Sequence, residues 1–147
     1  MESVLVGVDS SEGSRRAVKF AMDRAKVNSW RVTIVHVIHW SPYSFSSPQE
    51  NDTRHMRRQA EIEHAQTQII GPILTWIESD MPDHDVEVTS EIRHGRPSEM
   101  LADLADQGPF DLLVVGRTGE SNLRAAIFGS TPYRLVQHAP VAVVVVP

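Results

Sequence analysis

Gly116-Arg117-Thr118-Gly119, nine further residues, then Gly129-Ser130 form a spacing whose natural chemistry is phosphate binding. A glycine has no Cβ, so the N–H groups beside it can come close to a ligand. Gly129-Ser130-Thr131 opens a helical stretch and would add the unpaired amides and dipole of a helix N-terminus, with two hydroxyls beside them. The series offers this without a Walker-type lysine. Pro132 suits a first helical turn but has no N–H, which leaves the cradle one donor short. Arg117, Thr118 and Arg124 lie inside the loop. An arginine there can reach phosphate, and at least one is expected to be simply solvated.

Asp9 is the second group with chemistry to offer. It follows Val4-Leu5-Val6-Gly7-Val8 directly and precedes Ser10-Ser11. A carboxylate there can accept a hydrogen bond from a ligand hydroxyl, help hold a metal carried on phosphate, or cap the helix that follows. The seven histidines are scattered. His36 lies in an apolar run, where packing and a hydrogen bond account for it, and no protein metal site is expected. Gly-x-Ser-x-Gly is absent, and with it a nucleophile elbow. Asp9 is the one evident general base near the glycines, so a dedicated enzyme is not expected.

These groups need strands to hold them. Val4 to Val8, Val32 to Ile38, Phe110 to Val115 and Val141 to Val146 are nearly continuous apolar runs, as in strands buried on both faces. Val86 to Ile92 alternates instead, which predicts an edge strand with one solvated face. Ala17, Val18, Ala21, Met22 and Ala25 form one helical stripe. Ile62, Ala65, Ile69, Ile73 and Ile77 predict a helix from about Thr53 to Asp80, kinked or broken at Gly71-Pro72. Met100, Leu101, Leu104 and Ala105 belong to a helix opened by Gly95-Arg96-Pro97 and ended by Gly108-Pro109. A last helix is expected around Pro132 to Gln137. Trp40 to Asp52, rich in Ser and Pro, reads as a long loop.

The order β-α-β-α-β-α-β-α-β implies a mainly parallel sheet with helices on both faces, in one α/β domain over 1–147. Ligands of such sheets sit beyond the carboxyl ends of the strands, where strand order reverses. If strands one and four are neighbours, Asp9 and Gly116 line one crevice.

Composition narrows the partners. A net charge of -5, from 14 basic and 19 acidic residues, argues against a nucleic-acid surface. Arg54, Arg57 and Arg58 are expected to be a solvated helix face. There are no cysteines, hence no disulfides. The N-terminal stretch has no signal-peptide pattern and no run approaches the ~20 residues of a membrane span. A cytoplasmic protein is expected.

The residues as a set resemble the universal stress protein family, in its nucleotide-binding branch. Four matches carry the resemblance: Val4 to Ser11 as the opening strand and aspartate, Val35-His36-Val37-Ile38 as the second strand, Gly95-Arg96-Pro97 as the turn before the third helix, and Gly116-x-x-Gly119-x9-Gly129-Ser130 as the ATP-binding signature. The resemblance implies a Rossmann-like five-stranded sheet in the order 3-2-1-4-5. It implies ATP, or AMP or ADP, in the crevice, with Mg²⁺ carried on the phosphates. Gly7, Val8 and Asp9 would face the nucleotide, Asp9 touching ribose or base-side groups. Val37 and Val115 would lie near the adenine, or else simply fill the core. Gly116, Arg117, Gly119, Gly129, Ser130, Thr131 and Pro132 would surround the phosphates. A homodimer through Val141–Val146 and a role in stress response follow from the same source. An apolar edge strand is an aggregation hazard unless covered or paired with a copy of itself. Slow ATP hydrolysis and a related nucleotide- or flavin-binding α/β domain are the alternatives.

Overall fold

The computed structural model describes residues 2–39, 48–117 and 130–147. Five strands form one parallel sheet: β1 (Ser3–Val8), β2 (Arg31–His39), β3 (Val88–Gly95), β4 (Leu112–Gly116) and β5 (Ala142–Val146). Their order is β3-β2-β1-β4-β5, as expected. Helices α1 (Glu12–Asn28), α2 (Pro48–Ala65), α3 (Gly71–Asp80), α4 (Pro97–Gln107) and α5 (Ser130–His138) make the crossovers.

The two-fold alternation of the strands divides the core between two layers. Val4, Val6, Val8, Val32, Ile34 and Val114 face α1 and α3, meeting Ala17, Ala21, Met22, Ile73 and Ile77. Leu5, Val35, Val37, Leu113 and Val115 face the other way, against Leu101 and Ala105 of α4 and Leu135 of α5. Burying one such side chain stabilises the fold by about 1.5–3 kcal/mol. The alternating third strand is the sheet edge its pattern predicts: Thr89 and Arg93 are exposed, and the Glu91 carboxylate holds the Arg93 guanidinium at 3.0 Å.

Three expectations are corrected. The loop expected to run to Asp52 stops earlier, because α2 begins at Pro48; its residues 40–47 lie outside the described part. Proline suits a first helical position, so a helix can open there. Ile62, expected inward, is 38% exposed, and no residue from Thr53 to His64 is buried. The kink expected at Gly71-Pro72 is a π-helical turn, Gln66–Ile70, that joins α2 to α3 without a loop. The Gly71 N–H reaches back five residues to the Gln66 carbonyl. The widened turn makes room for a proline ring that would otherwise meet a carbonyl one turn earlier.

This joined helix, residues 48–80, is about 50 Å long at 1.5 Å per residue. No strand of the sheet matches that length, so part of it must overhang. Glu61 marks the place: its carboxylate lies 3.3 Å from Nε2 of His94, the penultimate residue of β3. The turns before Glu61 therefore project past the carboxyl rim of the sheet, and Met56 there is 71% exposed.

The start of the sheet is held by a reciprocal clamp. Ser3 N–H donates to Oδ2 of Asp111 at 3.0 Å, and Asp111 N–H donates to the Ser3 carbonyl at 2.8 Å. Asp111→Ala leaves the Ser3 amide unpaired beside a core strand. A loss of about 1–3 kcal/mol is expected, read in urea unfolding as a lower midpoint with an unchanged slope.

Candidate functional site

β1 and β4 pair in parallel, with Gly7 opposite Val115. The chain runs outward from β1 to β2 and β3, then crosses back to β4, so strand order reverses between β1 and β4. Ligand crevices of open α/β sheets lie at such a point. Asp9 and Gly116 stand at the two carboxyl ends that border it, as the sequence reading required.

The turn from β1 into α1 is built around the Asp9 carboxylate. Its Oδ1 accepts from the Ser11 N–H at 2.8 Å, from the Ser11 hydroxyl, and from the Ser14 hydroxyl at 2.8 Å. The Asp9 N–H in turn donates to Ser14 Oγ at 2.7 Å. Asp9 is partly exposed, whereas Ser14 is 4% exposed. Ser11, the N-cap residue of α1, makes no side-chain cap bond, so the carboxylate two residues upstream does the capping work there. The helix-capping role is thus present in full, and it occupies one carboxylate oxygen.

The glycines have structural duties of their own. A Cβ on Gly116 would fall 2.7 Å from the Gly13 carbonyl oxygen and 2.8 Å from its carbonyl carbon. The first turn of α1 rests directly on the end of β4, backbone against backbone. A Cβ on Gly7 would point to the opposite layer, 2.8 Å from a terminal methyl of Leu101 and 3.2 Å from Val115. Gly7 therefore seats α4 on the sheet. Val8 is 7% exposed and belongs to the α1 layer, while Val37 and Val115 belong to the α4 layer.

Arg117 leaves the sheet with its N–H donated to the Val146 carbonyl at 2.8 Å, which extends the β4–β5 ladder; its side chain is exposed. Gly119, Gly129 and the arginine at 124 lie outside the described residues. Helix α5 begins at Ser130, which puts Thr131 and Pro132 in its first turn. Proline is tolerated there, since first-turn amides have no intrahelical acceptor. His36, half-buried, donates from Nδ1 to the Val8 carbonyl at 2.8 Å, next to the crevice. Among the described residues no three His, Asp or Glu side chains gather as a metal site. Nor is any helix there long and apolar enough to cross a membrane.

Two residues of this site escaped the sequence reading. Gly13 and Ser14 sit in the first turn of α1, where glycine is a poor helix former. A glycine in so apolar-striped a helix is the available signal of close backbone approach. Ser14, five residues after Asp9, carries none.

Comparison with known proteins agrees with this layout. A model of the universal stress protein family matches residues 1–147. A universal stress protein of Mycolicibacterium smegmatis is 32% identical over 154 residues, covering 97% of this chain and 47% of that protein. The chain thus spans about half the length of that relative. The solved structure of a universal stress protein from Lactobacillus plantarum superposes with a TM-score of 0.80 at 27% identity, over 99% of this chain and 97% of the other. A universal stress protein from Archaeoglobus fulgidus, solved in complex with dAMP, shares the fold with a TM-score of 0.67 at 19% identity, covering 100% and 98% of the two chains.

The Gly116 contact is with backbone, which cannot swing aside as the Leu101 methyl can. Gly116→Ala is expected to cost about 1–3 kcal/mol and more than Gly7→Ala. Thermal unfolding of the two variants measures this, and an equal or smaller loss at Gly116 would contradict the packing described.

Proposed function

The chain belongs to the universal stress protein family, and from that premise we propose that it binds an adenine nucleotide, ATP in the first instance, between the ends of β1 and β4. The observation that carries the reading is the pairing of β1 with β4 at the reversal of strand order, which sets Asp9 and Gly116 at adjoining strand ends. Family members solved with cAMP, dAMP and AMP support an adenine ligand.

In this reading the negative Asp9 carboxylate takes the donor end of the nucleotide, its ribose hydroxyls. A phosphate would be repelled there. The phosphates run instead toward Gly116, Gly119, Gly129, Ser130 and Thr131, where amides and the N-terminus of α5 favour an anion. Mg²⁺ would travel on the phosphates, held mainly by their oxygens. Pro132 supplies no amide, so the remaining first-turn donors carry the contact. Gly7, Val8, Val37, Val115 and Arg117 keep their proposed places around the nucleotide alongside the packing roles described above. Asp9 is engaged in holding the α1 turn, and we read the site as one for binding and signalling rather than dedicated catalysis, in a cytoplasmic protein.

Nucleotide carried through gentle purification and identified by mass spectrometry tests this directly. Saturating ATP should raise the melting temperature, since 100-fold excess over Kd stabilises by about 2.7 kcal/mol. Gly129→Val should abolish the shift. Protein with neither retained nucleotide nor a shift would overturn the reading.

We also assign a homodimer through β5. That strand is the second sheet edge, and Val143 and Val145 pack in one layer while Val144 and Val146 pack in the other. An apolar edge with both faces covered calls for another strand beside it. Sedimentation should give twice the 16.4 kDa chain mass, and a monomer at high micromolar concentration would refute the assignment.

A further inference from the structure

We infer that Ser14 is a positioning residue of the nucleotide site, which sets the discrimination for ribose by fixing the Asp9 carboxylate; this rests on the proposed adenine-nucleotide reading. Ser14 is 4% exposed, and its hydroxyl makes two bonds to a single residue, accepting from the Asp9 N–H at 2.7 Å and donating to Asp9 Oδ1 at 2.8 Å. Those bonds fix both ends of Asp9, backbone and side chain, relative to the first turn of α1. That turn is itself pinned against β4 where Gly13 meets Gly116.

Among the described residues, the three hydrogen bonds that hold the carboxylate all end on Oδ1. An ionised carboxylate has two oxygens and about four acceptor positions. With Oδ1 engaged by three donors, acceptance of a ligand hydroxyl falls to Oδ2. A carboxylate accepts and never donates when ionised, so it selects hydroxyl donors over phosphate oxygens. Its orientation then decides how well a ribose hydroxyl is met. A charged acceptor held in one geometry forms a stronger bond than one free to rotate, because no orientational freedom is lost on binding. Ser11 ties the carboxylate to its own turn. Ser14 ties it to the first turn of the helix.

The measurement is the ratio of affinities for ATP and 2′,3′-dideoxy-ATP, by titration calorimetry on the full chain. Wild type should prefer ATP by about tenfold or more, the scale of one charge-assisted hydrogen bond. Ser14→Ala should bring the ratio most of the way to unity while affinity for the dideoxy compound changes little. In an Asp9→Ala background, adding Ser14→Ala should leave the ratio where it is. A general loosening of the fold would weaken both ligands alike, so the ratio separates positioning from stability. If Ser14→Ala is too unstable to titrate, Ser14→Cys keeps the volume with a weak donor and should lower the ratio in the same direction. Wild type that prefers ATP with a ratio untouched by either substitution overturns the inference and leaves adenine-nucleotide binding standing. Wild type that binds neither compound overturns both.

Discussion

The close approach of Gly13 to Gly116 is the constraint on which the crevice depends. Helix α1 must start immediately after β1, because only two residues separate Asp9 from Glu12. Its first turn then has to pass over the end of the neighbouring strand. Gly116 makes that possible, with less than 3 Å between the Gly13 carbonyl and the place where its Cβ would stand. A side chain at position 116 would lift the helix, and with it the Asp9–Ser14 pair. The β1–α1 turn and the end of β4 are therefore not two independent walls. They are one rigid corner, and the glycine that begins the loop after β4 also belongs to the packing of α1.

Much of the fold could be read before any coordinates because the strands are buried on both faces. Val4 to Val8 and Leu112 to Val115 leave little choice but a central strand, and alternation at Val86 to Ile92 gave away an edge. The order of the strands came with the family resemblance and not with periodicity. What escaped was decided by chain geometry. Ile62 fits the apolar stripe of its helix, yet it lies beside the carboxyl rim of the sheet, where there is no core to receive it. Pro72 was rightly marked as a disturbance, but the sequence does not say that the helix widens by one residue in the turn before it. The start of α2 at Pro48 was masked by a Ser- and Pro-rich composition. Asp9 and Gly116 were singled out by type and spacing, and the structure sets them at adjoining strand ends. The packing duties of Gly7 and Gly116, and the part played by Ser14, depend on which backbone lies across from them.

The two edges of the sheet are treated differently. β3 exposes Thr89 and Arg93, and its Glu91–Arg93 pair makes it a poor template for another strand. β5 presents valines that are packed above and below. One edge is discouraged from pairing by charge, whereas the other carries no such device among its strand residues. The ladder from β5 also reaches the crevice, since Val146 accepts the Arg117 N–H.

The overhang of α2 divides one continuous helix into two regimes of cooperativity. From Ala65 onward, opening a turn exposes core, because Ala65, Ile69, Ile70, Ile73 and Ile77 are all buried. From Thr53 to His64 no side chain is buried, so opening those turns exposes no core. Isolated helical turns are marginal in water, and amide exchange should therefore advance inward from Thr53 as a fraying front. Before it reaches that core the front must part Glu61 from His94 of β3, which lie 3.3 Å apart.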